Sequence, residues 1–302
     1  MALQLPPGLT TRPLTTADSR AVYEVMVAHE EHEIGMAEIE EADIVGDWQR
    51  PSFDIATSTM GVFDGDQLVG YAEHSGGDRA DAAVHPDYYG RGIGTALAGW
   101  LADKARELGE PTVGMPVPVR STGDRLLTAL GWEARWTSWS LVLPGDAEIP
   151  QRILPAGYTI REASPDEYGT VHTVIEDAFL EWSKRDRQPF EDWAARTIQR
   201  PGFEPWMFRV VTDPTGEVVA VAYVLLADLD VLEGYIEQLA TRVDQRGQGI
   251  AQALLVDAFA VARAHGAARS ALSTDSRTGA LSLYEKVGMQ VSETWVNRAI
   301  TV

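Results

Sequence analysis

A chain of 302 residues that is 45% hydrophobic is long enough for two domains with real cores, which excludes global disorder. The absence of cysteine removes disulfide scaffolds, thiolate metal sites and cysteine nucleophiles. Lys+Arg total 25 against 45 Asp+Glu, a formal charge of −20, which opposes nucleic acid or an anionic membrane surface as partner.

Met1–Thr11 carries neither a basic start nor an apolar stretch, and no apolar run reaches the roughly 18 residues of a membrane span. The expectation is a cytoplasmic chain. Thr10–Leu14 reads as a short first strand, and Asp18 stands near the start of an amphipathic helix, Ala21–His29. The acidic run from His29-Glu30-Glu31-His32-Glu33 through Glu38, Glu40, Glu41 and Asp43 lacks a His-Glu-x-x-His register. It reads as a solvated loop or helix, and no metal is expected. Met60–Phe63 and Gln67–Glu73 form a hairpin across Asp64-Gly65-Asp66. A strand, a glycine loop, a long helix, a strand, a helix and a last strand follow. Pro144–Pro155, with Pro144, Gly145, Pro150 and Pro155, reads as a linker.

The same order then repeats. Tyr158–Arg161 is a strand, Tyr168–Trp182 a helix after Asp166, and Pro189-Phe190 opens a helix through Arg200. Phe208–Thr212 and Val218–Leu226 form the second hairpin. Val84–Gly131 lies over Thr241–Gly288 at a constant offset of 157 residues, and Arg12 and Arg161 begin a parallel at offset 149. The division is therefore expected at 1–148 and 149–302, two copies of one α/β fold with a mixed sheet. Charge is uneven between the halves: 10 basic and 24 acidic residues in 1–150, against 15 and 21 in 151–302.

Each copy carries a glycine loop between a strand and a helix. The first reads Tyr89-Gly90-Arg91-Gly92-Ile93-Gly94, the second Arg246-Gly247-Gln248-Gly249-Ile250-Ala251. Successive glycines let backbone N–H groups turn inward, and with the helix N-terminus they make a cradle for a pyrophosphate. A dinucleotide fold would place such a loop after the first strand of a βαβ unit, whereas each loop here follows a helix-rich segment and a hairpin. No Gly-Lys-Ser/Thr follows, so the loop is not a Walker A motif.

Both copies resemble the GCN5-related N-acetyltransferase (GNAT) superfamily, whose signature is Gln/Arg-x-x-Gly-x-Gly/Ala on the loop that binds the pyrophosphate of acetyl-CoA. Arg246, Gly249 and Ala251 match it in the second copy. Ala280–Met289 is similar to the family's C-terminal helix, with its tyrosine at Tyr284. The tandem layout resembles the mycothiol synthase-like acetyltransferases of actinobacteria. The resemblance implies two tandem GNAT modules, acetyl-CoA as co-substrate and a small-molecule amine as acceptor, in a monomer or homodimer. A protein or peptide acceptor, and a non-catalytic acyl-CoA-binding regulatory module, are the alternatives.

The resemblance assigns Tyr284 as the acid that protonates the leaving thiolate, and offers a glutamate on the strand before the loop as base. Glu237 is the candidate there and Glu233 the second choice. Alternation along Tyr235–Thr241 groups Tyr235, Glu237, Leu239 and Thr241 on one face. Leu239, Ala240 and Thr241 are expected to offer backbone groups to the cofactor. Arg246, Gly247, Gln248, Gly249, Ile250 and Ala251 are expected to hold its pyrophosphate. Arg277 replaces an asparagine frequent in the family and is assigned to a CoA phosphate. Trp182, Trp193 and Trp206 read more as core than as walls of an acceptor pocket. The first copy has Tyr89, Ala80 and Leu127 in the registers of Arg246, Glu237 and Tyr284, so its chemistry is degenerate.

Overall fold

The computed structural model describes residues 5–302; Met1–Gln4, part of the Met1–Thr11 segment read above, lie outside it. Two compact units emerge, Met1–Ser138 with Glu293–Val302, and Trp139–Ser292.

In the first unit the order is β1 (Leu9–Arg12), α1 (Ser19–Ile34), α2 (Glu41–Trp48), α3 (Ile55–Ser58), β2 (Thr59–Asp64), β3 (Gln67–Gly76), β4 (Arg79–Val84), α4 (Ile93–Leu108), β5 (Thr112–Pro118) and α5 (Thr122–Ala129). β6 (Glu133–Leu143) begins in this unit and ends in the second. The second continues with β7 (Thr159–Glu162), α6 (Tyr168–Phe179), α7 (Phe190–Arg196), β8 (Phe208–Thr212), β9 (Val218–Asp228), β10 (Leu232–Thr241), α8 (Ile250–Ala264), β11 (Arg269–Asp275) and α9 (Leu281–Glu285). β12 (Gln290–Thr301) starts in the second unit and passes into the first.

Each unit is thus a mixed α/β structure built on one plan. In the first, β1 to β4 pair antiparallel in sequence order, β5 joins β4 in parallel, and β12 flanks β5 antiparallel. In the second, β7 to β10 are antiparallel, β11 is parallel to β10, and β6 lies beside β11. The strand that follows each unit's parallel step comes from the far side of the expected 148/149 division. β6 and β12 are 11 and 12 residues long, and the division between the units falls after Ser138 in β6 and after Ser292 in β12. The expected linker forms no helix or strand and is tied to the second unit, where Arg263 donates to the carbonyl of Ala147 at 3.1 Å and Arg152 to that of Lys286 at 2.6 Å.

Local chemistry sets the element starts alike in both units. Arg12 and Asp18 form a fork at 2.7 and 2.9 Å while Asp18 also caps Thr15. Arg161 and Glu167, offset by 149, do the same at 2.6 Å with Ser164. Both carboxyls are pulled down to about 2, first by the guanidinium hydrogen bond. The long helices bury stripes at three- and four-residue spacing: Ile93, Leu97, Leu101 and Ala105 in α4, and Ile250, Leu254, Ala258 and Ala262 in α8. β9 is buried almost end to end, as a central strand covered on both faces must be. The helix expected through Arg200 ends at Arg196, because Thr197 leaves helical geometry at φ −121°, ψ −91°.

Candidate active site

The second unit opens where its sheet changes from antiparallel to parallel. β10 pairs with β11 through Glu233↔Arg269, Gly234↔Ser270 and Tyr235↔Ala271, and there the ladder stops although both strands continue. Beyond Tyr235, the edge of β10 turned away from β9 has no strand to receive its N–H and C=O groups, so a cleft opens between the strands. At the closed end, buried Glu233 is held by Arg269, which also takes Asp230 at 3.0 Å. Glu233 is therefore part of the sheet's ion pairing rather than a free base.

The cleft begins at a bulge. Ile236 pairs with Val224 and Gln238 with Tyr223, so Glu237 is an extra residue in β10. The bulge reverses the alternation expected of this strand. Tyr235 shares a face with Gln238 and Ala240, while Leu239 and Thr241 point the other way. Glu237 is turned out of the ladder, with Arg196 at the end of α7 3.9 Å from its carboxylate. Gln238 accepts from the Trp193 indole at 3.3 Å. Trp193 is 1% exposed among Phe190, Phe208 and His172, so it is core. Trp206 stacks on His265 at 3.9 Å and is also packing.

At the open end lie Thr241 and the glycine loop. Gly247 and Gly249 adopt φ +78° and +81°, the left-handed region, and Gly249 is the residue from which α8 starts. A Cβ at either would meet nothing within 4 Å. The loop faces open space beside the N-terminus of a 15-residue helix, the arrangement that receives a phosphate. Ile250 is 1% exposed, so its side chain belongs to the core and only its backbone can face the loop. Gln248 folds back on Gln245 at 3.4 Å. Arg246 donates through Nε to the Thr241 carbonyl at 3.0 Å. The Thr241 hydroxyl itself is buried with no hydrogen-bond partner among the described residues. A linear ligand with a diphosphate at the loop and polar groups along Leu239–Thr241 fits this set. The residues present therefore suit acetyl-CoA.

Across the cleft, Tyr284 on α9 is buried, and burial pushes its phenol up, offset in part by the hydroxyl of Thr274 on β11. Arg277 is tied to Asp275 and lies 4.9 Å from the centroid of the Trp182 ring. Trp182 is the one tryptophan of the three that reaches this side of the cleft.

The first unit keeps the cradle and loses the chemistry. Gly90 and Gly92 have φ +73° and +85°, and β4 and β5 pair at a single register, Arg79↔Gly114. Yet Ala80 is paired with His74 in the ladder, the adjacent bulge placing its extra residue, Ser75, on β3 rather than β4, and Leu127 is buried in the core. Tyr89 is engaged by His29 at 2.6 Å. Within the acidic run Glu30 departs from the solvated reading. α1 extends to Ile34 and carries half-buried Glu30 toward Asp81 and Tyr71, with its carboxyl pushed up to about 8, mainly by desolvation. Among the described residues no three His, Asp or Glu side chains converge as metal ligands, and no helix is long and apolar enough to cross a membrane.

The family model described as acetyltransferase (GNAT) family matches residues 21–117 and 168–289. A mycothiol acetyltransferase of Salinispora arenicola is 31% identical over 242 residues, 73% of this chain and 74% of that protein. One from Thermobispora bispora is 27% identical over 252 residues, 75% and 78% respectively. Among solved structures, a GCN5-related N-acetyltransferase from Sphaerobacter thermophilus is similar with TM-score 0.76, 25% identity and coverage of 99% of this chain and 97% of that one. A tandem GNAT protein from the clavulanic acid biosynthesis pathway gives 0.72 at 18% identity, over 97% and 98%, a likeness of fold.

Proposed function

Because the chain belongs to the acetyltransferase (GNAT) family, an N-acetyltransferase family that uses acetyl-CoA, we propose that its second unit acetylates a primary amine of a small molecule. The observation that carries this reading is the pairing of a left-handed glycine loop with the open edge of β10, beside a buried Thr241 hydroxyl that lacks a partner among the described residues. Backbone N–H groups of Gly247–Ala251, with Arg246, bind the diphosphate, and Leu239, Ala240 and Thr241 line the path of the pantetheine arm. Arg277 reaches a further CoA phosphate.

When bound, acetyl-CoA supplies an activated acyl group on a thioester. Glu237, turned outward by the bulge, takes a proton from the incoming ammonium, directly or through water, so that a neutral amine attacks. An N–H on the open edge of β10 stabilises charge on the thioester oxygen. Tyr284 is protonated at neutral pH, as an ordinary phenol is, burial only raising it further, and it delivers that proton to the departing thiolate. The first unit, without counterparts of Glu237 and Tyr284, shapes and stabilises the protein.

The names of the curated relatives favour a small-molecule acceptor over a protein one. The test is calorimetric titration of acetyl-CoA followed by a thiol-release assay over small amines, including the desacetyl form of mycothiol. The reading expects one bound equivalent and release with at least one amine. Binding without release across the panel would favour an acyl-CoA sensor.

A further inference from the structure

Arg246 is already engaged. Its two terminal nitrogens meet the two oxygens of Glu181 at 2.7 Å each, while Nε stays on the Thr241 carbonyl. Glu181 lies just past α6, and the next residue is Trp182, whose ring carries Arg277. Two adjacent residues thus hold the two arginines of the cofactor cleft. Their segment is anchored from behind. Buried Glu176 takes Arg185 at 2.6 and 2.8 Å and the Gln188 N–H at 2.8 Å.

The contact recurs in the first unit with altered chemistry. At offset 149 Glu181 aligns with His32, and at offset 157 Arg246 aligns with Tyr89. The His32 and Tyr89 rings meet edge-on with centroids 5.3 Å apart. The end of the first long helix reaches the first residue of the glycine loop in both copies, so the contact belongs to the repeat and not to one surface. In the first unit it joins two rings. In the second it is an ion pair, which another anion can exchange.

We propose that Glu181 is a positioning residue that holds Arg246 at the loop until a CoA diphosphate takes the guanidinium from it. A carboxylate and a diphosphate compete for the same pair of terminal nitrogens. The Nε bond to Thr241 is untouched by the exchange, so the arginine stays at the loop mouth while its outer partner changes. Both side chains of the pair are 42% exposed, which makes it weak and salt-screened, as an exchangeable contact must be. Glu181 therefore lowers affinity for CoA and keeps the arginine oriented in its absence. This rests on the acetyl-CoA reading above.

The test is calorimetric titration of CoA into the wild-type protein and the Glu181→Gln and Glu181→Asp variants, at low and high ionic strength. Glu181→Gln should bind CoA about threefold to fivefold more tightly at low ionic strength, with the gap closing as salt rises. Glu181→Asp should return toward wild type. In turnover, Glu181→Gln should lower KM for acetyl-CoA and leave kcat unchanged, a split that mere loosening of the segment would not give. Wild-type binding of CoA with equal or weaker binding by Glu181→Gln at low ionic strength overturns the proposal alone. Failure of the wild-type protein to take up CoA overturns the cofactor reading, and the proposal with it.

Discussion

The indole Nε1 of Trp48 donates to the buried Glu73 carboxylate at 2.9 Å inside the first unit. Ser75 supplies a second hydrogen bond at 2.7 Å. Desolvation outweighs both and pushes Glu73 up to about 7, as it pushes nearby Glu30 up to about 8 and raises Asp81. The folded unit therefore keeps protons that the unfolded chain releases near its ordinary carboxyl value of about 4.5. The stability these raised carboxyls contribute is full below that value and is lost as pH rises toward about 8. Urea midpoints for the wild-type protein should decline over this window. Glu30→Gln, whose amide oxygen still accepts from the Glu38 N–H, should decline less, and its advantage should grow with pH. A pH-independent difference between the two would contradict the assignment.

The Glu233–Arg269 pair closes the sheet just where the cleft starts. Arg269→Met leaves a carboxylate buried without its main partner, at a cost of about 3 to 5 kcal/mol in denaturant unfolding. Adding Glu233→Met should recover most of that loss. Because neither residue touches the proposed reaction, the double variant should retain turnover.

Gly249 and Gly92 form a matched pair of probes. Both start a long helix from the left-handed region, and a Cβ on either meets nothing. Alanine at each costs about 1 to 2 kcal/mol of backbone strain. Gly249→Ala should also weaken acetyl-CoA binding, since its methyl group enters the cradle. Gly92→Ala should lower stability to a similar degree and leave binding and turnover intact. Equal losses of binding would mean that both units hold the cofactor.

Glu237→Gln should reduce kcat by about a hundredfold near neutral pH with little change in KM for acetyl-CoA. An unchanged kcat in Glu237→Gln would assign the base elsewhere.

Much of this architecture is legible in the residues. The two glycine loops, the two long helices and the repeat that relates them follow from positive-φ glycines and apolar spacing, which are local properties. The bulge at Glu237 is not local, because it exists only against the register of β9. An alternation rule applied to β10 alone puts Tyr235 on the wrong face. The assignment of β6 and β12 escapes for the same reason. A strand's own residues do not encode which edge it will join. Glu181 is 65 residues from Arg246, and no periodicity links them. Glu30 reads as part of a solvated run that lacks a His-Glu-x-x-His register, yet it turns inward near the end of α1 toward Asp81 and Tyr71.

The central claim is that the second unit transfers an acetyl group with Tyr284 as the acid. It is tested most directly by the rate of thiol release from acetyl-CoA over an amine panel, in the wild-type protein and in Tyr284→Phe. The account predicts release by the wild type with at least one small amine, and a rate lower by about a hundredfold or more in the variant at unchanged acetyl-CoA affinity. An unchanged rate in Tyr284→Phe, or no release by the wild type with any amine, would contradict it.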